Sequence, residues 1–168
     1  LRVDGDLVGV QDVLGGEGPA VVPADVLAQV EGDDEAVLGN IPGLGEIALE
    51  LFPDRAPQHV RNFLRLARVG VYDGMAFHRV AAGFVAQTGA LTSRTAPLTR
   101  KQQGHVTNLA TEINDTKHVK GILSMARGGD PASASTSFFL CLGTAPALDG
   151  KYTVFGRVVS GLDVLEAI

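Results

Sequence analysis

The chain has 168 residues and a formal net charge of −5, with 45% hydrophobic and 20% charged residues. This length suits one domain with a proper core. The acidic balance argues against nucleic acid or an anionic membrane surface as a partner, because both favour a basic patch. No apolar run is long enough to span a bilayer. The compartment stays open. A single cysteine excludes an intramolecular disulfide.

Residues 1–40 carry no pattern to which chemistry can be assigned, and we treat them as an N-terminal extension before a domain at 41–168. Two short apolar runs around an Asp-Gly turn in Leu1–Val10 are typical of a hairpin. The apolar spacing in Pro23–Val30 predicts a short helix.

A strand and a helix are predicted directly after this extension. Ile47, Leu49 and Leu51 alternate with less apolar residues, which is the period of a strand with one buried face. A helix then starts at Pro57, since proline is favoured in the first turn. Its apolar face repeats at helical spacing, and His59 is expected on the solvent side.

Five short apolar runs separated by glycine follow the helix. Numerous short strands without alternating helices favour an antiparallel barrel or sandwich over a βαβ fold. Ser160–Asp163 fits a weak capping box before a second, C-terminal helix. Cys141 lies inside one run and is interpreted as a small core residue. The runs are Met75–Val80, Phe84–Thr88, Ile122–Ala126, Phe138–Leu142 and Val154–Val159.

Several common sites lack support. The glycine-rich stretches lack the Gly-Lys-Ser/Thr of a phosphate loop. The four histidines have no close paired spacing and no cysteine companions, which argues against zinc. Ser124 is not in a Gly-x-Ser-x-Gly elbow, so hydrolase chemistry is not indicated.

The segment Phe77–Gly89 places an arginine, a histidine and a glutamine among apolar residues. An isolated cation is costly to bury. Arg79 is therefore either half of a partly buried ion pair or a guanidinium offered to a ligand, and these residues alone leave both readings open.

Several ordered blocks over residues 46–168 resemble cyclophilin-type peptidyl-prolyl cis-trans isomerases. The resemblance implies a mainly β fold, a closed eight-stranded antiparallel barrel with a capping helix over each open end. It also implies an enzyme that accelerates rotation about Xaa-Pro bonds in peptides and unfolded proteins, assists folding and needs no cofactor or metal. The blocks are Leu51–Pro53, Ala56–Pro57, Asn62–Phe63, Phe77–Val80, Phe84–Gln87, Gly121–Ala126, Ser137–Phe139, Leu148–Lys151 and Val154–Gly156.

The resemblance also implies roles for individual residues. Arg79 would be the catalytic arginine. The other residues would form a slot for the substrate proline, hold the substrate or arginine in register, or run beside the peptide. These substrate-binding residues are His78, Phe84, Val85, Gln87, Ala126, Arg127, Gly128, Phe139, Leu148 and Tyr152.

Several positions depart from the common family pattern, among them Gly89-Ala90, which lacks the usual aspartate. Val85 stands where methionine is usual, Ala147 where many members carry tryptophan, Tyr152 where many carry histidine, and Ser137 where glutamine is common. The missing indole leads us to expect weak cyclosporin binding. The expected partners are proline-containing peptides and unfolded proteins, and the expected state is a monomer.

Energetics suit an arginine acting together with an apolar slot. Rotation about a peptide bond costs about 18–20 kcal/mol because resonance is lost. A charge-assisted hydrogen bond contributes about 1.5–3 kcal/mol, or roughly 10- to 150-fold in rate. The slot and backbone contacts must therefore contribute comparably. A proline-binding or chaperone module with little turnover is the rival, and a purely structural barrel with Arg79 in an internal ion pair is a third reading.

Overall fold

The computed structural model describes residues 36–168 and two short strands before them, β1 (Val22–Pro23) and β2 (Gln29–Glu31). The hairpin predicted at residues 1–10 lies outside the described residues. The helix predicted over residues 23–30 is wrong at both ends, because pairing with other strands holds these ends extended.

Eight further strands and three helices follow in the described part of the chain. No helix among these residues is long and apolar enough to cross a bilayer. Single 3₁₀ turns lie at Leu91–Ser93 and Pro146–Leu148. The strands are β3 (Ala36–Ile41), β4 (Gly45–Leu51), β5 (Ala76–Phe77), β6 (Arg79–Ala81), β7 (Val85–Thr88), β8 (Ile122–Met125), β9 (Phe138–Cys141) and β10 (Val154–Ser160), and the helices are α1 (Pro57–Arg68), α2 (Arg100–Gln103) and α3 (Leu162–Ala167).

One antiparallel sheet organises these elements. Its strand order is β2-β3-β4-β10-β8-β9-β7-β6, and β1 pairs separately with β5. Among the described strands, the edges β2 and β6 do not pair with each other. The mainly β fold, the helix predicted to start at Pro57 and the C-terminal helix are confirmed. The chain division at residue 40 stays a prediction, although the sheet takes in β2 and most of β3 from the segment before it.

The interior cluster is the apolar core between the sheet and the helices α1 and α3. Alternate residues of β4 are buried in it, as the period of two predicted. Phe63 of α1 lies at its centre, with ring centroids 5.2 Å from Tyr72, 5.3 Å from Phe138 and 5.3 Å from Phe155. Such aromatic packing against several strands fixes α1 on the sheet.

A carboxylate from a distant loop caps the start of α1. The N-cap residue Ala56 has no capping side chain, so the first N–H groups of the helix need another acceptor. Glu112 accepts from the backbone N–H groups of Gln58 (3.1 Å) and His59 (3.0 Å) and from His59 Nδ1 (2.7 Å). His59 is fully buried, so its predicted solvent position is wrong, because this contact draws the ring inward.

The start of α3 also differs from the sequence expectation. Its N-cap is Gly161, at φ 85°, and no side chain caps it. The capping box predicted at Ser160 is therefore wrong. A Cβ atom at Gly161 would lie 2.2 Å from the carbonyl oxygen of Glu46. The close approach of α3 to β4 thus requires glycine here.

We expect Glu112→Gln to lower the free energy of unfolding by about 1–2 kcal/mol at neutral pH, because it removes the charge at the helix start and weakens the cap. Burial alone would raise the pKa of Glu112, but the hydrogen bonds from His59 and Gln58 hold it below its usual value of 4.5. The stabilisation is therefore complete above pH 4.5 and is lost as the pH falls through the lowered pKa.

Urea denaturation of the wild-type protein and of Glu112→Gln, from neutral pH to well below pH 4.5, measures the difference in free energy of unfolding. Glu50→Gln is the matched control, since it removes a carboxylate from a surface pair with Arg157 and should cost no more than about 1 kcal/mol. Equal losses for the two variants, or a Glu112 effect that persists in strong acid, would contradict this prediction.

Candidate active site

The strands at the centre of the sheet are apolar on both faces. In β9, Phe138 and Leu140 belong to the interior cluster, while Phe139 and Cys141 project to the opposite face. There they form the outer cluster, a second apolar group against which Phe52 and Phe84 pack. The outer cluster comprises Val85, Ile122, Ala126, Phe139, Cys141, Ala145, Leu148, Tyr152 and Val154.

Strand register aligns three of the predicted site residues in one row. Arg79 of β6 lies opposite Gln87 of β7, and Gln87 lies opposite Phe139 of β9. Residues directly opposite in antiparallel strands share a face of the sheet. The row therefore places a guanidinium, an amide and an aromatic ring side by side along the outer cluster.

Gln87 is the polar centre of this row. Its side chain is 1% exposed, and neither Oε1 nor Nε2 has a hydrogen-bond partner among the residues that the structure describes. Leaving a buried amide unsatisfied costs about 1–3 kcal/mol for each group. Such a group suits a site where a ligand supplies the missing partners.

Burial lowers the pKa of two basic residues, Arg79 at the end of the row and His78 next to it in the chain. An arginine nevertheless keeps its charge at neutral pH. Burial is also the main cause that lowers the pKa of His78, and the adjacent Arg79 charge lowers it further. His78 is therefore neutral at pH 7, beside a permanent cation.

Tyr152 and Arg127 form the rim of the outer cluster. The Tyr152 ring meets Phe139 edge-on, with centroids 5.8 Å apart, and the Arg127 guanidinium lies 5.1 Å above the Tyr152 ring. Arg127 also donates to the Lys151 carbonyl oxygen (3.1 Å) and to that of Gly128 (3.0 Å). These contacts fix a second cation at the edge of the site.

The predicted strip beside the peptide follows the end of β8. The Ala126 N–H donates to the Ser137 carbonyl (2.9 Å) and the Gly128 N–H to Ser133 Oγ (2.8 Å). Gly89, at φ 83°, abuts the same region, where an added Cβ would lie 2.4 Å from the Thr136 oxygen. Close backbone contact therefore ties β7 to the segment before β9.

The structure places the predicted site residues around one surface. Phe84, Val85, Ala126, Phe139, Leu148 and Tyr152 all belong to the outer cluster or pack against it. Arg79 and Gln87 border it through strand register, and Arg127 and Gly128 border it through the loop after β8. His78 lies between β5 and β6, outside the paired strands, and directly precedes Arg79 in the chain. Their functional roles remain predictions.

Val85 and Ala147, two of the residues that depart from the family pattern, differ in solvent exposure. Val85 is buried opposite Cys141, so its short side chain contributes to the floor of the cluster. Ala147 is exposed in the second 3₁₀ turn.

Burial raises the pKa of the Cys141 thiol to about 12, which agrees with its interpretation as a core residue.

Sequence reasoning missed a polar network behind Phe139. The His118 ring stacks on Phe139 at 6.1 Å, and Asp149 accepts from its Nδ1 (2.9 Å) and from its backbone N–H (2.9 Å). Ser124 Oγ lies 3.0 Å from His118 Nε2 and donates to the Thr153 carbonyl (3.0 Å). Because Ser124 is fully buried, the network supports the ring rather than providing a nucleophile.

The sequence indicated only one member of this network. Asp149 belongs to the Leu148–Lys151 block, but His118 lies far from it along the chain, and only the fold brings the two together. The hydrogen bonds from the His118 backbone and ring hold the pKa of Asp149 below its usual value. The carboxylate is thus the charged end of the network at neutral pH.

A separate cleft of about 410 Å³ lies outside the row and is lined by Phe52, Arg55, Asp115, Thr116 and Arg157. Arg55 pairs with Asp115 (2.6 Å) and Arg157 with Glu50 (2.5 Å). Its cations are already engaged, so this cleft does not provide the candidate slot.

We expect an NMR titration of His78 to give a midpoint below 6.5 in the wild-type protein, since burial and the Arg79 charge both disfavour the imidazolium. Arg79→Ala should raise this midpoint, because it removes the charge and exposes the ring. Arg61→Ala, which alters an exposed residue of α1, is the control and should leave it unchanged. A midpoint that does not respond to Arg79→Ala would show that the two side chains are not coupled.

Known proteins with similar sequences identify the family. The model for the cyclophilin type peptidyl-prolyl cis-trans isomerase/CLD family matches residues 38–168. A peptidyl-prolyl cis-trans isomerase of Helicobacter pylori is 47% identical over 128 residues, covering 74% of each chain. A probable peptidyl-prolyl cis-trans isomerase of Brucella suis is 42% identical over 130 residues, covering 74% of this chain and 66% of the relative's length.

Solved structures agree with this relationship. A cyclophilin from Hirschia baltica superposes with a TM-score of 0.71 at 25% identity, covering 81% of this chain and 68% of the other. A Cryptosporidium parvum cyclophilin type peptidyl-prolyl cis-trans isomerase gives 0.68 at 30% identity, covering 79% and 82%. The shared fold is a curled antiparallel sheet with helices. The chain therefore belongs to the cyclophilin-type peptidyl-prolyl cis-trans isomerase family.

Proposed function

We propose that the protein is a peptidyl-prolyl cis-trans isomerase that accelerates rotation about Xaa-Pro bonds in peptides and unfolded proteins. The observation that carries the proposal is the row Arg79–Gln87–Phe139, in which a buried amide without partners among the described residues lies between a cation and an aromatic ring. Family membership supports it.

The geometry suits substrate binding in two ways. The outer cluster offers an apolar surface for the proline ring, with Phe139 as its floor and Leu148 beside it. Gln87 can bind peptide N–H and carbonyl groups that replace its missing partners. A structure of the Cryptosporidium parvum relative was obtained in the presence of the dipeptide Ala-Pro, and we propose the same class of ligand here.

Arg79 would act on the twisted amide. As resonance is lost, the prolyl nitrogen becomes more basic and the carbonyl less polar, so an apolar slot favours the twisted state over the planar one. The Arg79 guanidinium donates to this nitrogen or to the prolyl carbonyl oxygen without any proton transfer. The neutral His78 forms a wall and needs no change of protonation.

The proposal includes three finer points. The first is closure of the sheet into an eight-stranded barrel, which β1 supports. This strand pairs with β5, which directly precedes the edge strand β6, and only residues 24–28 separate β1 from the other edge strand, β2, along the chain. Weak cyclosporin binding is supported by Ala147, which offers only a methyl group where many members carry an indole. We also propose that the protein acts as a monomer.

We expect the wild-type protein to accelerate isomerisation of an Xaa-Pro peptide, and Arg79→Ala to lower kcat/KM roughly 10- to 150-fold, the value of a charge-assisted hydrogen bond. Exchange NMR on a proline-containing peptide measures the rate directly, and circular dichroism checks that the variant is folded. Arg61→Ala removes a matched, exposed cation on α1 and should retain full activity.

Three outcomes would decide between the readings. Peptide binding without acceleration by the wild type would favour a module that holds proline peptides. Neither binding nor acceleration would favour a structural barrel. An acceleration that survives Arg79→Ala would leave the isomerase proposal standing but remove Arg79 from its mechanism.

A further inference from the structure

Arg127 lies at the rim of the candidate slot, where its side chain is fixed rather than free to move. Its guanidinium covers the Tyr152 ring at 5.1 Å. Its Nε and one terminal nitrogen donate to the Lys151 carbonyl at 3.3 and 3.1 Å, and the other terminal nitrogen donates to that of Gly128 at 3.0 Å. These bonds occupy three of the five N–H groups of an arginine, so one donor on each terminal nitrogen remains.

The positive charge of Arg127 has no ion-pair partner among the residues that the structure describes. Two acidic residues lie in the adjoining loops. Asp149 is engaged by His118 at 2.9 Å and by Lys117 at 3.4 Å, and Asp130 accepts from the Ala132 backbone N–H at 2.8 Å. The Arg127 side chain is only partly exposed, so its charge is screened less than that of a fully solvated arginine.

A second cation reinforces this field. Burial raises the pKa of Tyr152, while the charges of Arg127 and then Arg79 act in the opposite direction. Both guanidinium groups are therefore close enough to influence the Tyr152 hydroxyl. Two guanidinium groups thus lie beside the apolar slot in a protein whose net charge is −5.

We infer that Arg127 is a specificity-determining residue that favours peptides with a carboxylate side chain next to the proline. This inference rests on the proposed isomerase function and adds a substrate class to it. A carboxylate matches the two remaining donors of the planar guanidinium. The hydrogen bonds and the Tyr152 contact hold these donors in place beforehand, which reduces the entropy lost when the peptide binds.

The experiment compares kcat/KM for two matched pairs of peptides, with Glu or Gln directly before the proline and with Glu or Gln directly after it. At low ionic strength we expect the wild-type protein to prefer the Glu peptide in at least one pair by about 2- to 5-fold, the range for a partly exposed ion pair. The ratio should shrink at high salt, because the Debye length shortens.

Variants separate specificity from a structural role. Arg127→Gln should bring the Glu/Gln ratio to about 1, and Arg127→Lys should retain part of the preference, since it keeps the charge but loses the fork. Arg61→Gln is the matched control and should keep the wild-type ratio. Because each ratio is measured on one protein sample, it does not depend on the fraction of a variant that is folded.

The outcomes distinguish this inference from the function on which it rests. Acceleration of all peptides with a wild-type ratio of 1 in both pairs, or a preference that survives Arg127→Gln, would overturn the inference and leave the isomerase proposal intact. If Arg127→Gln lowered kcat/KM equally for every peptide, Arg127 would be a structural clamp. No acceleration of any peptide by the wild type would overturn both proposals.

Discussion

Strands β7, β8, β9 and β10 must bury apolar side chains on both faces, and this constraint determines the core and the candidate site together. Phe138 and Leu140 fill the interior cluster, while the residue between them, Phe139, forms the floor of the outer cluster. A shift of one residue in register would exchange the two sets. The packing of α1 against the interior face therefore also fixes the positions of Phe139 and Gln87 on the outer face.

The parts of the candidate site come from regions of different rigidity. Its apolar floor lies on central strands, where pairing on both sides and burial on both faces restrict movement. Arg79 lies on the edge strand β6. Tyr152 and Arg127 lie in loops that an edge-on aromatic contact, a cation–π contact and backbone hydrogen bonds hold in place. Rotation about an Xaa-Pro bond needs no proton transfer, so it depends on a hydrogen-bond donor that the fold already holds beside an apolar surface.

Two buried polar clusters connect the loops to this frame. Glu112 joins the loop before β8 to the start of α1, and Asp149 joins the second 3₁₀ turn to His118 behind Phe139. In both, a carboxylate accepts a backbone N–H and a histidine ring N–H. The pKa of each carboxyl is held low by these bonds. Acid therefore weakens the cap of α1 and the support of the site floor together.

Local patterns in the sequence determined β4, the short strands after α1, α1 itself and the mainly β class, because alternation and helical spacing depend only on neighbouring residues. They did not predict β1, β2 or β3. Motif blocks also indicated the candidate site residues, although their grouping required distant segments to meet. The burial of His59, the Gly161 cap of α3, the network of His118 with Asp149 and the clamp on Arg127 were decided by the tertiary structure alone. Each depends on a partner from a distant loop or strand, and local spacing carries no information about which distant groups will meet.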